Sequence, residues 1–120
     1  MKTAVVVPSA SFWWKLGAVS GATAVALGAF GAHGLQTRVK DPKMLKNWET
    51  AAHYHLIHSV VLLAAPLSKR PGLTGGLITT GTLLFSGSLY TMVLTNERKL
   101  GMITPIGGVA IIAGWLALLL

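Results

Sequence analysis

Four histidines and two tyrosines lie in or beside otherwise apolar sequence, and His58 is the one placed deepest. It falls more than four helical turns after Pro42, well below any membrane surface that the surrounding apolar segments would define. An ionisable group at that depth is costly and points to function by default. Tyr54 stands four residues earlier and shares its helical face. A neutral imidazole donates one hydrogen bond and accepts another. The groups expected to meet it are the hydroxyls of Ser86, Ser88, Tyr90 and Thr104, or an exposed carbonyl near Gly31–His33. The other three histidines, His33, His53 and His55, read as near-surface residues.

Several chemistries fit such a group. The plainest is interhelical hydrogen bonding that sets packing register, worth roughly 0.6 kcal/mol per bond on average. A quinone or lipid-headgroup pocket lined by His58, Tyr54 and Tyr90 is a second. Proton or solute transport is a third, weakened by the lack of any carboxylate within the apolar segments. Metal or haem ligation would use His55 and His58, but Glu49 is the sole nearby acid and there is no cysteine. Hydrolysis lacks an acid to orient a Ser–His pair. No catalytic residue, metal or cofactor is therefore expected.

These side chains are positioned by four apolar stretches, Phe12–Leu35, Ala51–Leu67, Leu73–Thr95 and Leu100–Leu120. Each is near the roughly 20 helical residues that cross a hydrocarbon core. Asp41–Pro42 is a helix-start signal, with Asp as cap and Pro at the first helical position. The second helix is therefore expected from 42, its first turns, with Met44, Leu45 and Trp48 on one side, lying in the membrane interface. The predicted helices are 12–35, 42–67, 73–95 and 100–120. Continuous rather than alternating apolar runs exclude a β-barrel. Short loops make neighbours antiparallel, so the fold class is all-α. The chain reads as one integral membrane domain, an up-down-up-down bundle of four transmembrane helices.

In lipid, helices associate through close contact of small residues. The expected packing positions are Gly17, Gly21, Gly28 and Gly31 on the first helix, and Gly107, Gly108 and Gly114 on the fourth. Trp13 and Trp14 belong at headgroup level with Lys15 snorkelling beside them. The topology brings the ends of helices 1 and 3 to the starts of helices 2 and 4. His33, Tyr54, His58, Ser86, Ser88, Tyr90 and Thr104 then fall in one half of the bundle. The other half is largely aliphatic.

Ten Lys+Arg stand against three acids, and the basic residues sit almost entirely between the apolar stretches. That pattern anchors loops against anionic headgroups. A nucleic-acid partner would need a clustered basic patch on an exposed fold, and none is expected. Arg38, Lys40, Lys43, Lys46, Arg98 and Lys99 on one side outnumber Lys2, Lys15, Lys69 and Arg70 on the other, which places the former side inward. Met1–Ser11 lacks the Arg-rich amphipathic character of a transit peptide, so the first helix reads as retained.

Five ordered motifs carry a resemblance. They are Gly28-Ala-Phe-Gly-Ala-His33-Gly; Trp48-Glu-Thr-Ala with Tyr54 and His58 following; Leu84-Phe-Ser-Gly-Ser-Leu-Tyr90; Thr104-Pro-Ile-Gly-Gly108; and Gly114-Trp115. In this order, from about Leu16 to Leu118, the chain resembles the transmembrane protein 256 family, a family of unknown function in bacteria and mitochondria. It departs from the family by carrying histidines at 53 and 55 and by ending without a polar tail. The resemblance implies four transmembrane helices and no assigned catalytic residue. By analogy with its eukaryotic members, it implies the mitochondrial inner membrane, with the bacterial plasma membrane as the alternative. Two functional expectations result. One is a structural or accessory subunit of a larger inner-membrane assembly, a respiratory complex in the mitochondrial case, packed against other membrane subunits and without enzymatic activity. The other is an independent protein that binds or moves a hydrophobic ligand, proton or ion near His58.

Overall fold

The computed structural model describes residues 8–120, with side-chain surroundings from Ser11 onward; Lys2 lies outside the described residues. Four α-helices follow one another: α1 Pro8–His33, α2 Pro42–Ala64, α3 Pro71–Thr95 and α4 Thr104–Ala117. Short 3-10 turns join them at Leu35–Thr37, Ala65–Leu67 and Arg98–Met102. There is no strand among the described residues. The bundle is all-α, as the sequence predicts. Helix α1 begins one turn earlier than expected. Helix α4 is shorter, because Arg98–Met102 winds as a 3-10 turn and the α-helix starts again at Thr104–Pro105. Asp41 caps α2 as anticipated, its carboxylate accepting the Lys43 N–H at 2.9 Å.

The helices lie antiparallel, and the contacts show it residue by residue. Gly17 lies against Leu63, Gly21 against Ser59, Gly28 against Ala52 and Gly31 against Trp48, so α1 descends as α2 rises. Gly81 meets Ile111, Phe85 meets Gly107 and Ile78 meets Gly114 in the same fashion between α3 and α4. The main packing partners run α1 to α2, α2 to α3 and α3 to α4. In cross-section the Cα trace measures 26 × 17 Å, which is elongated rather than square. The helices form an open row with α1 and α4 at its ends. Lipid solvates apolar outer faces as well as a neighbouring helix does, so nothing drives the row to close.

Helices α1, α3 and α4, the last with its preceding turn, are long and apolar enough to cross a membrane. Helix α2 matches them in length at 23 residues, about 35 Å. It falls short in apolarity because it carries Lys43, Lys46, Glu49 and three histidines. It runs between α1 and α3 and antiparallel to both, so it traverses with them.

Trp48 is only 2% exposed, and Met44 3%. Together with Leu35, Ala51, Leu89, Met92 and Val93 they form the larger core cluster. The stripe on the first turns of α2 therefore packs against the neighbouring helices, Leu45 being only partly covered. The Trp48 indole donates to the Leu27 carbonyl at 2.8 Å, tying α2 to α1. Trp13 also turns inward, its indole lying over Gly75 of α3, whereas Trp14 remains exposed.

The tightest crossing is between α3 and α4. A Cβ placed on Gly107 would stand 2.7 Å from the Gly81 carbonyl and 2.8 Å from the Leu84 carbonyl carbon, and nearer still to the Phe85 nitrogen. One placed on Gly81 would stand 2.7 Å from the Ile111 nitrogen. Only glycines allow this backbone contact. Gly17, Gly31 and Gly114 are similarly hemmed in, by Leu63, Trp48 and Ile78. Gly21, Gly28 and Gly108 sit on the seams with room for a methyl group.

Candidate functional site

The polar side chains at mid-depth form two hydrogen-bonded units on α2, three residues apart. The first centres on His55. Its Nδ1 lies 3.0 Å from the Tyr90 hydroxyl on α3, and its Nε2 lies 3.1 Å from Ser20 Oγ on α1. Ser20 Oγ is 2.6 Å from Ser59 Oγ, and Ser59 donates to the His55 carbonyl at 2.7 Å.

These contacts fix every proton. The Ser59 hydrogen goes to a carbonyl, which can only accept. Ser20 must then donate to Ser59, and His55 Nε2–H must donate to Ser20. That leaves His55 Nδ1 bare to accept from Tyr90. The chain of bonds runs from α3 through α2 to α1 and ends on a main-chain carbonyl. It crosses the row of helices sideways.

The second unit centres on His58, which is 4% exposed. The Trp115 indole donates to His58 Nε2 at 3.0 Å, and His58 Nδ1 lies 2.6 Å from the Tyr54 carbonyl. Indole nitrogen can only donate, so Nε2 is the acceptor and the neutral ring carries its proton on Nδ1. The two histidines therefore hold opposite tautomers. Each is neutral in this arrangement; a second proton on His58 would break its bond to the indole, and one on His55 would reverse the bond to the Tyr90 hydroxyl. Tyr54 stacks with His58 at 5.9 Å between centroids and with Phe85 at 4.5 Å.

Beside this unit, a groove of about 440 Å³ opens sideways between α2 and α4. Its walls are Ile57, His58, Ile112 and Trp115, and Phe85 of α3 also lines it.

The remaining residues singled out in the sequence do other work. Ser86 donates to the Ala51 carbonyl at 2.7 Å, joining α3 to α2. Ser88 and Thr104 share a hydrogen bond of 2.6 Å, joining α3 to α4. Tyr90 serves His55 rather than His58 and packs on Trp48 at 4.7 Å. His33 is exposed at the end of α1 and lies outside both units, as does exposed His53.

His55 is not a surface residue: it is half-buried and links three helices. Reading it by distance from Pro42 along one helix missed the two neighbours that cover it. Ser20, Ser59 and Trp115 were also missed. The i, i+4 pair His55/Ser59 and the lone indole of an otherwise aliphatic α4 were the available signals.

On α3, the hydroxyls of Thr74, Thr79 and Thr82 are buried without a partner among the described residues. No group of three His, Cys, Asp or Glu side chains placed to hold a metal occurs among those residues. At the loop end, Arg98 donates to Asp41 at 3.0 Å, clasping the α1–α2 loop to the α3–α4 turn. This bond, the Lys43 N–H and the charges of both residues hold the Asp41 carboxyl below its ordinary value.

Residues 27–108 match a family described as a protein of unknown function, DUF423. A UPF0382 membrane protein of Schizosaccharomyces pombe is 42% identical over 88% of this chain and 97% of its own length. One from Staphylococcus aureus is 46% identical over 88% of this chain and 89% of its own. The Bacillus subtilis relative YwdK, also a UPF0382 membrane protein, is 46% identical over 84% and 87%. No solved structure matches.

Proposed function

This chain belongs to the DUF423 family of membrane proteins, and from that premise we propose that it is a structural or accessory subunit of a larger inner-membrane assembly. Its contribution is helix packing rather than catalysis. One observation carries this reading. The two histidine units at mid-depth spend their hydrogen bonds inside the chain, where they tie helix to helix, and the apolar faces at both ends of the row are where lipid or another subunit packs. On α1 these faces include Val19 and Val25, and on α4 Ile106, Val109 and Ile112. In a eukaryotic host the assembly is proposed to be a respiratory complex of the mitochondrial inner membrane, and in a bacterium its plasma-membrane counterpart. The relatives in a yeast and in bacteria support one role shared by both settings. Photo-cross-linking from Val25 and Val109 in native membranes tests the proposal. It expects a fixed set of protein partners; labelling of lipid alone would refute it.

The groove beside His58 favours one second reading, a site for a hydrophobic ligand such as a quinone or a lipid. Competition of a photoreactive quinone by excess quinone, lost on filling the groove with Ile112→Trp, would establish it.

A further inference from the structure

A cavity of about 450 Å³ lies at the loop end, away from both histidine units. The α1–α2 loop supplies Arg38 and Lys40, and the α3–α4 turn supplies Arg98. Asn96 closes α3 in the left-handed conformation, φ 55°, which turns the chain back toward the other loop. The Asp41–Arg98 ion pair holds the two loops together across 57 residues of sequence.

The charges are unbalanced. Asp41 is the one carboxylate lining the cavity, and it is committed to Arg98 and the cap of α2. Among the described residues, Arg38 and Lys40 have no ion-pair partner; the Arg38 guanidinium only rests over the Phe30 ring, 5.9 Å from its centroid. Arg98 uses a single nitrogen on Asp41, leaving most of its five N–H donors. Apart from Asn96 the rest of the lining is apolar: Val39, buried Leu35, Met44 and Val93, and Leu94, exposed at 59% on the side of α3.

We propose that this cavity binds the phosphate of an anionic glycerophospholipid. Arg38, Lys40 and Arg98 take the phosphodiester through charge-assisted hydrogen bonds, and the acyl chains leave past Leu94. The apolar exit argues for a lipid over a soluble phosphate, because a soluble anion has no use for a wall of Leu94 and Val93. Basic pockets at this depth meet the headgroup layer, where anionic lipids concentrate. The proposal is independent of any partner subunit.

The test is thermal unfolding of the purified full chain in mixed micelles. Phosphatidylglycerol is added in one arm, phosphatidylcholine in a second and soluble glycerol phosphate in a third. Phosphatidylglycerol should raise the midpoint by about 4 °C or more over phosphatidylcholine. The double variant Arg38→Gln/Lys40→Gln should lose most of that shift. Lys69→Gln/Arg70→Gln removes the same charge at the opposite end and should keep it. Equal loss in both variants would overturn the site in favour of bulk charge, and loss in neither would overturn it by showing that Arg38 and Lys40 do not hold the lipid. An equal shift with glycerol phosphate would overturn the lipid assignment, and no shift in the wild type would overturn the proposal outright. Lipid co-purified with wild-type protein gives a readout free of variants. It should be enriched in anionic species over the source membrane, and unenriched lipid counts against the site.

Discussion

Gly107→Ala places a methyl group where α4 meets the backbone of α3. The new Cβ would lie 2.7 Å from the Gly81 carbonyl, and ordinary contact begins at 3.4 Å. The helices must therefore separate locally by at least about 0.7 Å, and by more at the Phe85 nitrogen, since a main chain has no rotamer with which to yield. Overpacking of this kind costs about 1–3 kcal/mol, and the better helix propensity of alanine offsets up to about 1 kcal/mol. The net loss expected is about 1–2 kcal/mol. The same movement would strain the Ser88–Thr104 bond and the seat of Ile78 against Gly114. Gly76→Ala and Gly87→Ala are matched controls on α3, because a Cβ there meets nothing within 4 Å. They should be neutral or gain up to about 1 kcal/mol. Reversible unfolding in mixed micelles measures all three. If Gly107→Ala lies within about 0.5 kcal/mol of the controls, the backbone contact between α3 and α4 does not exist as described.

His58→Ala should destabilise by about 1–3 kcal/mol, because it leaves the Trp115 indole without an acceptor. His58→Gln should recover part of that, and equal losses in unfolding would contradict the bond. Nitrogen-15 NMR of selectively labelled histidine should report the proton on Nε2 in His55 and on Nδ1 in His58; one shared tautomer would break the hydrogen-bond assignment. The Asp41 carboxyl is held below its ordinary value of 3.8, first by Arg98. Its contribution to stability is therefore present above that pH and is lost as pH falls through the lower folded value. Asp41→Asn should flatten the thermal midpoint's dependence on pH in this acidic window, an effect weakened by salt. An unchanged pH profile would show that the clasp is absent in solution.

Much of the fold was legible because single residues dictate it. Asp41 and Pro42 start α2 where a cap and a first-position proline must, and continuous apolar runs left no room for strands. Glycine spacing located most of the close contacts, although Gly81 and Gly75 on α3 meet neighbours as tightly as any on α1 or α4. The open row was not legible, since apolar outer faces look alike whether lipid or helix covers them. The site was read only in part. His58 stood out by depth, but its partner is an indole on α4 rather than a hydroxyl. The role of His55 depends on Ser20 and Tyr90, each 35 residues away, and spacing along one helix cannot report such neighbours.

In the proposed function the chain is a packed member of a larger membrane assembly. The most direct measurement is the mass of the native particle that carries it, taken after mild detergent extraction of a chromosomally tagged chain. The expected result is a discrete species well above the 12.6 kDa chain in its micelle, with a constant set of co-purifying membrane subunits. A stable monomer recovered in full yield, with no constant partner, would contradict it.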